Sequence, residues 1–155
     1  MDSSRTAAFR TLYQLANRVR KVYWFLFRPR TRGVKCVIEH DGRWLLIRNT
    51  YGPDHWTFPG GAIGRNEEPT DAARREAFEE VGIRLGALTY IGSYKTNRDH
   101  KRDTVYCYTS GTSTAHHQID GVEIREARWF PPTSIPADHG PSVERVVFML
   151  SATRR

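Results

Sequence analysis

Three glutamates on one turn of one helix constrain this chain more than any other feature. In the segment GAIGRNEEPTDAARREAFEEVGI, residues 61–83, Glu76, Glu79 and Glu80 stand at i, i+3 and i+4. A helix advances about 100° per residue, so all three fall on one face. Like charges placed this way repel one another, and stability alone does not gather them. A divalent cation removes the conflict, because hard metals take carboxylate oxygens. Arg75 precedes the cluster and can pair with Glu79 one turn on. Ala73, Ala77 and Val81 occupy the other face, small enough to bring the helix close to a sheet. Taken alone, EAFEE also fits a solvated surface stripe, so the wider spacing has to decide.

The surrounding pattern places this helix at about Asp71–Val81, with Thr70 as its N-cap and Gly82 as its stop. Short β-type runs lie at Gly33–Glu39, Arg43–Arg48, Leu88–Tyr94, Asp103–Ser110 and Arg125–Phe130, and Asp41-Gly42 is a hairpin signal. A last helix is expected over Ser142–Leu150. Apolar residues Phe9, Leu12, Ala16, Val19, Tyr23 and Leu26 predict an amphipathic helix within residues 5–27, stopped at Arg28-Pro29-Arg30. Strands on both sides of a central helix, with helices at the ends, imply an α/β fold: a sandwich around a mixed sheet. The expected division is a basic arm, residues 1–32, and a single domain, residues 33–155.

Charge supports that division. Of the net +7, residues 1–32 carry all of it, with seven arginines and Lys21 against Asp2. Residues 33–155 hold 16 basic and 16 acidic side chains, so the high pI describes the arm and not the body. The longest apolar stretch of the arm, Val22 to Phe27, has six residues, far short of the roughly 20 that span a bilayer. An Arg-rich, acid-poor start also fits an organelle transit peptide, but the aromatic stripe favours a folded helix. The two cysteines, Cys36 and Cys107, sit in apolar runs and read as buried thiols, which suits a reducing, cytoplasmic compartment. No helix-turn-helix, zinc-finger or aromatic nucleic-acid motif is present.

The whole segment resembles the Nudix box, G-x5-E-x7-R-E-U-x-E-E-x-G-U with U apolar. Gly61, Glu67, Arg75-Glu76, Glu79-Glu80, Gly82 and Ile83 take its places, and Ala77 takes the first apolar one. At background frequencies of about 5–7% per fixed residue, a chance match is on the order of one in a million. Trp56-Thr57-Phe58-Pro59-Gly60-Gly61 resembles the family's lead-in to the box, and Ala127-Arg128-Trp129-Phe130-Pro131 its late strand and turn. The resemblance implies a Nudix-type α/β/α sandwich and MutT-like hydrolysis of a nucleoside diphosphate linked to another group. It implies Mg2+, with Mn2+ as substitute, on Glu76, Glu79 and Glu80. Arg75 would orient a carboxylate, Gly61 would allow a tight turn, and Glu67 would support the loop. Some subgroups carry a proline (ADP-ribose pyrophosphatases) or a tyrosine (diadenosine polyphosphate hydrolases) about 16 residues past the box; the matching stretch, Arg98 to Lys101, has neither.

The general base stays open among Glu79, Glu123 and Glu126. Gly60, Gly61, Trp56 and Arg98 are candidate substrate contacts, with burial the competing reading for Trp56 and Phe58. Residues 95–102 read as a basic hairpin loop, and His116-His117 as solvent-exposed. Two function classes are therefore in play: a metal-dependent pyrophosphohydrolase, and a catalytically silent Nudix-like module that senses a nucleotide. The intact acidic cluster favours the enzyme. The apolar stripe of the arm needs a partner, since an isolated amphipathic helix is marginal in water. Self-docking or a homodimer contact is favoured over an anionic membrane surface, because Tyr23-Trp24-Phe25-Leu26-Phe27 has the aromatics that protein interfaces use.

Overall fold

A computed structural model describes Ala16 and residues 30–97, 102–119 and 121–153 of the chain. The expected arm helix and Arg98 lie outside the described residues. The chain divides into two compact units, Arg32–Tyr94 with Val105–Arg155, and Met1–Thr31 with Lys95–Thr104. In the second unit the Thr31 hydroxyl donates to Asp103 at 2.9 Å.

The elements are β1 (Arg30–His40), β2 (Arg43–Asn49), β3 (Trp56–Thr57), α1 (Pro69–Val81), β4 (Thr89–Thr96), β5 (Arg102–Gly111), β6 (Ile124–Phe130), a 3-10 turn at Pro132–Ser134 and α2 (Pro141–Thr153). One mixed sheet runs β3-β2-β1-β5-β4, and β6 pairs with β2. Alternation along the strands sorts side chains into two cores. From β2, Leu45 and Ile47 face Ala72, Ala73, Ala77 and Val81 of α1, while Trp44 and Leu46 face Val143, Val146 and Leu150 of α2. The result is the α/β/α sandwich that the resemblance implies.

The β1–β2 hairpin turns where Asp41-Gly42 predicts, with φ of 47° and 72° at these residues, and His40 pairs with Arg43. Two positive φ values in a two-residue turn match the right-handed twist of the flanking strands.

Two expectations need correction, and one short strand has no sequence signal. Thr70 is not the N-cap: α1 starts at Pro69 with Glu68 before it and no side-chain cap. Proline suits a first helical position because its missing N–H would be unbonded there anyway. The basic loop is shorter than expected, since β4 runs to Thr96 and β5 starts at Arg102. β3 escaped the pattern because two residues carry no period. Gly82 does stop α1, in the left-handed region at φ 70°, with backbone N–H bonds returning from Gly82 to Phe78 and from Ile83 to Ala77.

Candidate active site

The site begins with a strand and a loop laid side by side. Backbone amides of Val34 and Cys36 on β1 donate to the carbonyls of Gly61 and Pro59, and Ile63 N–H donates to Arg32, all at 2.9 Å. This seam is so close that a Cβ on Gly60 would stand 2.1 Å from the Val34 carbonyl oxygen, and Gly60 has φ 142°. Only glycine meets both conditions. Gly61 is glycine for a different reason: a Cβ there would stand 2.5 Å from the Glu76 carboxylate.

Helix α1 delivers its acids to this loop. Glu80 is 7% exposed and accepts the Gly60 N–H at 2.8 Å. The Glu76 side chain is 12% exposed and that of Glu79 is 57%. Burial raises the pKa of Glu80 to about 7; Lys35 and the Gly60 N–H oppose the rise, and Glu76 and Glu123 add to it. Glu76 is raised too, first by burial, against the pull of Arg75 and with repulsion from Glu79 and Glu123. Glu123, exposed on the bend before β6, thus belongs electrostatically to the same cluster, although the chain supplies it more than 40 residues later.

Arg75 anchors the acidic face. Its Nε and Nη2 donate to the two oxygens of Glu67 at 2.8 and 3.0 Å, and Nη1 donates to Glu76 at 2.8 Å and Glu79 at 3.0 Å. Nη2 also reaches the Ala62 carbonyl at 3.0 Å. The Gly64 N–H donates to Glu67 at 2.7 Å. Bidentate pairing with Arg75 and the Gly64 N–H hold Glu67 down to about 2. The expected Arg75–Glu79 pair is present, but the larger partner of Arg75 is Glu67.

Other expected residues fall elsewhere. Trp56 is 4% exposed, set edge-on to Phe130 with the Arg48 guanidinium over its ring. Burial, the competing reading for both Trp56 and Phe58, is what the structure shows. Glu126 lies 2.5 Å from Arg128 and 4.0 Å from Arg48. Arg48 also pairs with Asp138 and Asp54, and Arg125 with Asp54, tying the 50–55 loop to β6. His117 is half-buried with both ring nitrogens against carbonyls, those of Ala115 and Ala127 at 3.2 Å, whereas His116 is exposed as expected. Cys36 and Cys107 are buried free thiols, both pushed up to about 12, mainly by burial.

Sequence reasoning missed Lys35. It lies on β1 between two buried residues, and its Nζ donates to the Phe58 carbonyl at 2.7 Å. Desolvation lowers its pKa, opposed first by Glu80 and then by Glu76. A single charge inside the apolar run Val34-Lys35-Cys36-Val37-Ile38 was the available signal.

The donors gathered here are carboxylate oxygens that repel one another, a set whose chemistry fits a hard divalent cation. Among the described residues no three His, Cys, Asp or Glu side chains stand as a ready ligand group. Arg75 instead holds Glu76 and Glu79.

The NUDIX domain family model matches residues 28–149. Bovine (Bos taurus) diphosphoinositol polyphosphate phosphohydrolase 3-beta is 37% identical over 95 residues, covering 59% of this chain and 57% of that protein. The chain therefore spans little more than half the length of the curated relatives it matches. Among solved structures, the MutT protein of Methanosarcina mazei Go1 superposes with a TM-score of 0.75 at 19% identity, over 83% of this chain and 98% of that one. The MutT NUDIX hydrolase of Burkholderia pseudomallei gives 0.72 at 21% identity, over 78% and 98%. At such identities these two establish the fold. The family match, which takes in the glycine loop, α1 and its glutamates, shows that the chain belongs to the NUDIX family.

Proposed function

We propose that this chain hydrolyses a diphosphate linkage in a phosphorylated small molecule, with Mg2+ (or Mn2+ as substitute) held by Glu76, Glu79 and Glu80. The observation that carries this reading is the gathering of Glu76 and Glu80 at one loop–helix seam, Glu80 on the Gly60 N–H and Glu76 against Gly61, where their charges repel. A cation bound there would neutralise phosphate charge and acidify a water. The chain's own contribution is positional. Gly60 and Gly61 let the loop lie against β1 and α1, Gly60 N–H fixes Glu80, and Arg75 sets Glu67, Glu76 and Glu79 in one array. A carboxylate within reach of the attacking water takes its proton. Glu123 and Glu79 are the two leading base candidates; Glu126, the weaker third, pairs with Arg128 and Arg48.

Two substrate classes follow from different grounds: nucleoside diphosphate derivatives from the box, and diphosphoinositol polyphosphates from the names of the relatives. A panel containing both, incubated with Mg2+ and scored for phosphate with and without added phosphatase, separates them. Metal-dependent release that disappears in Glu80→Gln supports the reading. No release from any diphosphate overturns it and leaves the silent sensor; release that ignores chelator overturns the metal requirement. The buried free thiols support a cytoplasmic setting, and the homodimer contact through the arm stays a proposal resting on the stripe Phe9 to Leu26.

A further inference from the structure

Lys35 is a cation placed where an apolar residue would pack. It shares its face of β1 with Val37, which contributes to the α2-side core. Its flanking amides, Val34 and Cys36, hold Gly61 and Pro59, while its own Nζ holds the Phe58 carbonyl between them and β3. Two residues further along the same loop, Gly60 N–H holds Glu80. The loop is thus fastened on one side by an ammonium and on the other by a carboxylate. The two charges attract each other across it, and Glu76 joins them. Desolvating a lysine costs free energy that a carbonyl bond offsets only in part; opposite charge nearby offsets some of the remainder, though burial still outweighs it.

We propose that Lys35 is a built-in counter-cation: a positioning residue that balances Glu80 and Glu76 and holds the 58–61 loop against β1, at the expense of tighter divalent-cation binding. The inference rests on reading Glu76 and Glu80 as cation-holding residues. It has a sign that a purely structural lysine lacks. If Lys35 only fastened the Phe58 carbonyl, removing it would loosen the loop and weaken cation binding. If its charge balances the carboxylates, removing it leaves them uncompensated, and a divalent cation gains what the ammonium no longer opposes.

The test uses the full chain. Free Mn2+ is followed by electron paramagnetic resonance during titration of wild type, Lys35→Met and Lys35→Arg, and thermal unfolding is recorded with and without Mn2+. Lys35→Met should bind Mn2+ about tenfold more tightly, the size expected of one charge removed at a partly buried site. It should melt lower without metal and gain more from Mn2+ than wild type, whereas Lys35→Arg should bind as wild type does. Should Lys35→Met fail to fold alone, saturating Mn2+ should restore the fold. Equal or weaker binding, or a chain that stays unfolded in saturating Mn2+, overturns the proposal. A wild-type protein that binds no Mn2+ overturns the prior reading of Glu76 and Glu80 instead, and that outcome is visible before any variant is measured.

Discussion

Exchanging the Glu80 carboxylate for a carboxamide keeps an oxygen for the Gly60 N–H and removes the charge that repels Glu76 and Glu123. Glu80→Gln should therefore fold normally by circular dichroism while turnover falls by about 10²-fold or more. Near-wild-type, Mg2+-dependent turnover in the folded variant would remove Glu80 from the chemistry. The two base candidates separate by what changes. Glu123→Gln should lower kcat and leave the Mg2+ requirement nearly unchanged if Glu123 takes the proton, whereas loss of a metal-holding acid should raise the Mg2+ needed. An undiminished rate for Glu123→Gln from about pH 7 to about pH 9 would move the base to the helix. At this scale the helix period exposes the Arg75–Glu79 pair and the clustering of Glu76 with Glu80. Lys35 and the Glu67–Arg75 fork are contacts between separate segments, and no local period carries them.

The loop and α1 act as one element, and two neighbouring glycines test it in opposite ways. Gly60→Ala meets backbone, the Val34 carbonyl at 2.1 Å, in a φ that side chains avoid. It should destabilise by about 3 kcal/mol or more, read as a lower melting temperature or insolubility. Gly61→Ala meets only the movable end of Glu76, so the fold should survive while Glu76 is displaced and turnover drops; a Gly61→Ala protein with full activity would show that Glu76 need not sit there. The Glu67–Arg75 fork predicts an acid response. The folded pKa of Glu67, about 2, lies below its ordinary 4.5, so its contribution is present above 4.5 and is lost as pH falls through about 2. Wild type should melt above Glu67→Gln at neutral pH, and the gap should close across that window. A gap that persists at pH 2 would mean the pairing is not what stabilises the loop.

For the molecule as a whole, the arm sets the remaining expectation. If its stripe from Phe9 to Leu26 joins two copies, full-length protein should scatter light as a dimer and a variant lacking residues 1–30 as a monomer. A monomeric full-length protein would rule that out, and failure to bind anionic vesicles at low salt would remove the membrane reading as well.

What the chain determines by itself is whatever repeats at short range. The two faces of α1, the Asp41-Gly42 turn, the Gly82 stop and the alternating strands are properties of neighbouring residues, and each is found where the spacing puts it. The spaced glycines and acids of residues 61–83 likewise carried the family in one stretch. What only the tertiary structure decided is which charges meet. Pairing the start of β1 with the 59–63 loop brings Lys35 to the far side of the seam that holds Glu80. The turn into β6 brings the charge of Glu123 into the field of Glu76 and Glu80, and Trp56 is buried against Phe130. Burial sets the protonation of Glu80 and the cost of Lys35, and burial is created when distant segments close over a residue, which no local pattern of side chains records.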